Sequence, residues 1–271
     1  MMSYEQTVET ISGNNLSQAW ANALLKCYEK GGGVLSPAVV HFPAVGEAGE
    51  VETAIIRDIV DKYLIDPSKF IPNQSIVETV AGTIFPESVW LHSHGNRHTF
   101  FKIYKNMIPL IRRERANNRG IYFQRMIAYP SNTGDKEPIN QLDHIISTWQ
   151  SGNHRHSALQ VGIFDPRTDH THARQQGFPC LQQVSFHPNG SNGKDGLSVV
   201  AFYANQTLIE KAYGNYLGLH RLGLFMAKEM GIQLKEVICM ASALKINNNL
   251  DRTNCGSLVK AIKAVLKHVG E

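Results

Sequence analysis

The chain has 271 residues, 42% hydrophobic and 18% charged, the proportions of a folded globular protein and not of a disordered segment. It contains no run of about 18 apolar residues, and residues 1–23 are polar and lack the basic-then-apolar order of a signal peptide, so the expectation is a cytoplasmic protein with no membrane partner. The formal net charge is +4 with twelve histidines uncounted. That suits an anionic small molecule and, read as evenly spread, is too weak to argue for nucleic acid.

In chain order, Leu16 to Lys30 has helical periodicity, with Trp20, Leu24, Leu25 and Tyr28 on one side, and the glycines from Gly31 end it. Val34 to Pro43 is rich in β-branched residues and reads as a strand. The glycines before it are not followed by G-K-[ST], which argues against a phosphate loop. Val51 to Tyr63 and Ser75 to Thr83 read as helices, the second carrying Glu78 among Ile76, Val77 and Val80. Arg97 to Arg115 is a further helix, which Pro109 should kink or break. Its end, Arg112-Arg113-Glu114-Arg115, reads as a solvated charged face. Gly120 to Tyr129, with Tyr122 and Arg125, reads as irregular or extended.

Ile139 to Trp149 is helical, and Ala158 to Phe164 is an apolar strand. Three H-x-H pairs (His92 and His94, His154 and His156, His170 and His172) alternate as on strands. A metal site needs three or four convergent ligands, and nothing in the spacing supplies them. Cys27, Cys180, Cys239 and Cys255 form no C-x-x-C pair, so neither zinc nor a disulfide framework is indicated.

Pro179-Cys180 opens a strand to about His187, which turns at Asn189 to Gly196 and returns as Leu197 to Tyr203. A thiol at a hairpin mouth suits a nucleophile; it equally suits a buried core cysteine. From Leu208 a long helix runs to Gly231. Leu208, Ala212, Asn215, Leu219, Leu222 and Met226 share one face, and Asn215 is the polar member of that stripe. Its amide either bonds to neighbouring backbone or faces a ligand. One acceptor and two donors match the N3–H and O4 edge of uracil. Val237 to Met240 is a short strand, and Ser257 to His268 a closing helix.

Cys180, its hairpin and the helix bearing Asn215 resemble the core of thymidylate synthase and the related pyrimidine hydroxymethylases. That family has a Pro-Cys nucleophile, a second strand beginning Leu-Ser (here Leu197-Ser198), and a helix whose Asn reads the base. Ser75-Ile76-Val77-Glu78 resembles the segment with its general-base glutamate, Tyr122 its active-site tyrosine, and Ile139-Asn140-Gln141-Leu142 the helix before its arginine pair. The resemblance covers residues 75–250. It implies an α/β (α+β) fold, one domain over residues 1–271 with a mixed β-sheet flanked by helices. It also implies a homodimer, with the arginine pair given to the partner's site.

The implied chemistry is one-carbon transfer to C5 of a uracil-type pyrimidine. Thiolate addition at C6 turns C5 into an enolate carbon that attacks a one-carbon electrophile. Cys180 is the implied nucleophile, with Arg155 or another cation favouring its thiolate. Glu78 is the implied proton-handling group, and 5,10-methylenetetrahydrofolate the implied donor.

The departures are specific. Of the family's four phosphate-binding arginines, the adjacent pair reads Arg155-His156, another position is Ala204, and the early Arg-Thr-Gly loop is not reproduced between Gly31 and Ser36. The ribose-binding His and Tyr fall at Lys245 and Asn247, the folate-contacting Asp at Thr207, and the residue after the nucleophile is Leu181. Arg155, His156 and Lys245 are left to hold any phosphate, which argues against ordinary dUMP. Three readings follow: a C5 methyltransferase on another uracil-containing substrate, a hydroxymethylase, or an inactive relative that binds ligands or builds assemblies.

Overall fold

The computed structural model describes residues 8–30, 32–46, 49–66, 68, 75–131, 137–152, 155–172, 178–246 and 255–269. The strands are β1 (Glu9–Ser12), β2 (Val34–Leu35), β3 (Ala38–Pro43), β4 (Gln160–Gly162), β5 (Leu181–Pro188), β6 (Leu197–Tyr203), β7 (Gln206–Thr207), β8 (Leu234–Ala241) and β9 (Leu244–Lys245). The helices are α1 (Leu16–Glu29), α2 (Ala54–Ile65), α3 (Val77–Ile84), α4 (Glu87–His92), α5 (Arg97–Ile111), α6 (Tyr122–Ile127), α7 (Gln141–Gln150), α8 (Pro166–Asp169), α9 (Tyr213–Met230) and α10 (Gly256–Val269).

Six strands form a mixed sheet in the order β1-β3-β8-β6-β5-β4, and β2-β9-β7 form a small second sheet. The pairs β1/β3 and β6/β8 are parallel, whereas β3/β8, β5/β6 and β4/β5 are antiparallel. The mixed α/β architecture expected from the sequence is therefore present. One hydrophobic core joins its layers from Ile11 to Ile262. None of the described helices is long and apolar enough to cross a membrane.

Strand alternation assigns the sheet two different faces. Val40, Phe42, Val199, Ala201, Val237 and Cys239 are buried on one face, where α1 and α9 pack. On the other face Phe202 is 41% and Met240 43% exposed. Those two are register partners, as are Val200 and Ile238, and Val39 lies opposite Met240. An apolar strip thus crosses three strands on the uncovered side.

Local chemistry sets the helix ends. Asn15, Asn96 and Asn140 each accept a hydrogen bond from the backbone N–H three residues on, capping α1, α5 and α7. Gly231 stops α9 in the left-handed conformation, φ 71°. Phe100 sits among Trp90, Phe85, Phe123 and Phe225, with ring centroids 5.1–5.7 Å away.

Helix α9 approaches α3 closely at two glycines. A Cβ on Gly214 would lie 2.6 Å from Val80 Cβ and 2.8 Å from the Val77 carbonyl oxygen. On Gly218 it would lie 2.7 Å from the Ala81 carbonyl oxygen. Gly82, also helical, has open space where its Cβ would be. We expect Gly214→Ala to lower stability by about 1–3 kcal/mol through overpacking, despite its better helix propensity. Gly82→Ala should raise stability by up to about 1 kcal/mol. Urea titrations of the two variants should move the midpoint in opposite directions.

Several elements differ from the sequence expectations. Residues 120–129, expected to be irregular or extended, contain α6. Pro109 lies inside α5 without ending it, two residues before the helix stops at Ile111, so little helix remains beyond it to be displaced. Ser36-Pro37 divides the expected strand 34–43 into β2 and β3. His92 ends α4 and His94 sits in the following turn with φ 50°, so this pair does not alternate on a strand. His154 lies outside the described residues. No group of three or more potential metal ligands converges among the described residues.

Candidate active site

Cys180 stands immediately before β5, where β5 pairs with the end of β6. Its carbonyl accepts from the Ala204 N–H at 3.0 Å. Its own N–H donates to the Tyr122 hydroxyl at 3.3 Å, and the Leu181 N–H donates to the same oxygen at 3.5 Å. The Tyr122 ring packs on Phe178 with centroids 5.2 Å apart. A hydroxyl that accepts two N–H groups keeps its own hydrogen to give away. Burial pushes the Tyr122 phenol far above its usual range, so it remains protonated. The sequence pairing of Tyr122 with Cys180 is thus a physical contact.

Cys180 is half-buried, whereas Cys27, Cys239 and Cys255 are buried. Burial raises the Cys180 thiol, and the opposing influence is the Lys211 ammonium. Burial in turn lowers Lys211, while Glu210 and Cys180 favour its charged form. Within the chain the cation acting on the thiol is therefore Lys211.

Lys211 was not singled out from the sequence. It lies in a π-helical turn, Leu208–Ala212, that runs directly into α9. Such turns recur at functional sites. One available signal was its position four residues before Asn215, one turn earlier along the same helix.

The polar interior around the β6 terminus is incompletely paired. Tyr203, which opposes Leu181 in the sheet, has a buried hydroxyl with no hydrogen-bond partner among the described residues, and so has the Gln206 Nε2 group. The Gln206 Oε1 accepts from Tyr216 at 3.2 Å. Asn215 is 5% exposed. Buried polar groups without protein partners mark places where water or a ligand must supply the bond.

Thr207 and Lys245 are register partners in β7 and β9, at the base of the π-helical turn. Thr207 is buried and Lys245 half-buried. Asn247 lies outside the described residues.

Arg155 and His156 lie away from Cys180. The His156 ring packs against His187 at 5.0 Å, near the end of β5 opposite Cys180. At about 3.3 Å per residue, the seven steps from Cys180 to His187 span roughly 23 Å. Arg155 and His156 therefore do not reach the thiol of their own chain.

Glu78 faces two guanidiniums. Arg221 binds both of its oxygens at 2.6 and 3.1 Å, and Arg57 binds one at 3.0 Å. Arg221, then Arg57, holds the Glu78 carboxyl below its ordinary value against the opposing effect of burial. Glu78 borders a cleft of about 530 Å³ on α3, α4 and α5, whose lining includes none of Tyr122, Cys180 and Asn215. These ion pairs join residues 21 and 143 positions apart, which sequence inspection does not reveal.

No protein-family model matches the sequence, and no curated protein matches it.

Proposed function

We propose that the protein activates uracil-type pyrimidines by adding the Cys180 thiolate to C6, for one-carbon transfer at C5. The observation that carries this reading is the Cys180–Tyr122 junction, which supplies a fixed, half-buried thiol and a hydroxyl with a hydrogen to donate. Asn215, buried on α9, offers an amide suited to the N3–H and O4 edge. This follows the resemblance to thymidylate synthase.

In this reading Lys211 favours the thiolate. Addition forms the S–C6 bond and moves the C5–C6 π electrons towards C5 and O4. Tyr122, kept protonated by burial, donates a hydrogen bond that stabilises the developing enolate. Glu78, held ionised by Arg221 and Arg57, is not assigned a proton-transfer step. The Thr207 position bears on the donor: it offers a buried hydroxyl where the family's folate contact is a carboxylate. The residues therefore do not fit a folate held in the family manner, and no step here runs through one. The co-substrate is defined by class as a one-carbon electrophile, giving a methyl or hydroxymethyl product according to whether hydride or water follows.

We further propose that a second copy of the chain covers the open sheet face. The exposed Phe202–Met240 strip supports this, as does the distance of Arg155 and His156 from their own Cys180. In a dimer those two cations serve the partner's site.

Release of tritium from C5 tests the chemistry without any donor. Reversible thiolate addition lets C5 take a solvent proton and lose its label, so we expect exchange from at least one of uracil, uridine, UMP or dUMP labelled at C5. Exchange from none of them by folded protein would retire the enzymatic reading. Calorimetric binding of a pyrimidine without exchange would favour a ligand-binding relative instead.

A further inference from the structure

The positive charge is not evenly spread. Residues 97–119 hold seven Lys or Arg and one Glu, a surplus larger than the net +4 of the whole chain. The remainder of the protein is therefore net acidic. Helical spacing collects the charge. His98, Lys102, Lys105 and Arg112 follow one another at steps of four, three and seven residues, along one side of α5 and its cap. Their span is about 21 Å. Arg113, Arg115 and Arg119 continue the basic stretch through the segment that leads to Tyr122.

Lys105 is half-buried, and the other five Lys and Arg after Arg97 are exposed. None of the six has a carboxylate within ion-pair distance among the described residues, and Arg112 donates to the Asn118 carbonyl. Arg97, at the helix start, is by contrast paired with Asp143 and Glu229. Elsewhere Lys26, Lys30, Lys62 and Lys263 sit on carboxylates. Clustered cations that outnumber their acidic neighbours and form no ion pairs repel one another and gain most from an extended polyanion.

We propose that the α5 stripe is a sequence-independent track for the phosphate backbone of nucleic acid. A membrane surface fits less well. An interfacial helix needs an exposed apolar face beside its basic one; Phe100, Phe101 and Tyr104 of α5 are buried in the core, and Leu110 alone of its large apolar side chains is exposed. The straight row of cations from Lys102 to Arg112, about 15 Å long, instead matches regularly spaced phosphates. None of these residues belongs to the Cys180 site, so this inference stands or falls independently of the proposed chemistry.

The test is fluorescence anisotropy with labelled oligonucleotides of about 30 nucleotides, single-stranded and duplex, at about 50–200 mM salt. Binding should weaken linearly in log–log form, with a duplex slope of roughly 4.5–5.5 for five or six neutralised phosphates. The quadruple variant K102Q/R112Q/R113Q/R115Q should lose at least about tenfold in affinity at the lowest salt and reduce that slope by roughly 3. Its thermal midpoint should stay near the parent's, because all four side chains are exposed. The triple variant K235Q/K260Q/K267Q, which removes exposed lysines elsewhere, should bind like the parent. Absence of binding at the lowest salt, equal losses in the two variants, or binding confined to phosphatidylserine vesicles would each overturn the proposal.

Discussion

Cys180→Ser is expected to abolish C5 tritium release, by roughly a thousandfold or more, while leaving the fold intact. A serine hydroxyl is isosteric but is almost wholly protonated near neutral pH and is a much weaker nucleophile towards C6. Because Cys180 is only half-buried and its backbone hydrogen bonds to Tyr122 and Ala204 involve no sulfur, the substitution should preserve the local structure. Retained exchange in the variant would remove Cys180 from the mechanism. The thiol can also be read without any pyrimidine. Cys27, Cys239 and Cys255 are buried, so iodoacetamide should label Cys180 first. Burial holds that thiol above its ordinary range, and its alkylation rate should accordingly still be rising at alkaline pH, where the thiolate fraction grows. Lys211→Met removes the opposing cation and should slow alkylation at a fixed, mildly alkaline pH by about three- to tenfold. Lys211→Arg should largely restore it. A Lys211→Met profile that overlays the parent's would mean that the lysine does not act on the thiol.

The contrast between Cys180 and Lys211 shows what a sequence conveys about such a site. The β5–β6 hairpin was legible because its alternation, its polar turn and the Leu197 start are all local signals; the second strand spans Leu197–Tyr203 as expected. Asn215 was legible as a polar residue in an apolar helical stripe, and it is buried. Lys211 was not, because the register of a π-helical turn depends on what packs around it and not on the period of its own residues. The same reason hides α6: six residues are too few for a periodic signal, and its position is fixed by Phe123 packing on Phe85, Phe100 and Tyr104. Glu78 shows what spacing leaves out. A glutamate on a short helix invites a catalytic role, but Arg57 and Arg221 approach it from α2 and α9, and only the folded chain brings them together. The charge on α5 was visible as a count; its segregation became meaningful because lysines elsewhere sit on carboxylates and, among the described residues, the α5 cations after Arg97 do not.

The largest structural effect is expected from charging the open sheet face. Phe202→Glu combined with Met240→Glu should convert a dimer to a monomer, as read by sedimentation or light scattering across a concentration series. The two residues are register partners on adjacent parallel strands, so paired glutamates would stand beside each other at the centre of the apolar strip and meet the same pair on a symmetric partner. Burying unpaired carboxylates of like charge costs several kcal/mol, enough to dissociate an interface of ordinary affinity. In the isolated chain both positions already face solvent, so helix content should persist in circular dichroism. If Arg155 and His156 serve the partner's site, the monomer should also lose nucleotide exchange more than nucleoside exchange, because the absent cations contact phosphate. A parent protein that sediments as a monomer at all concentrations would dispose of the dimer. A dimer that survives both charges would mean that its interface lies on another surface.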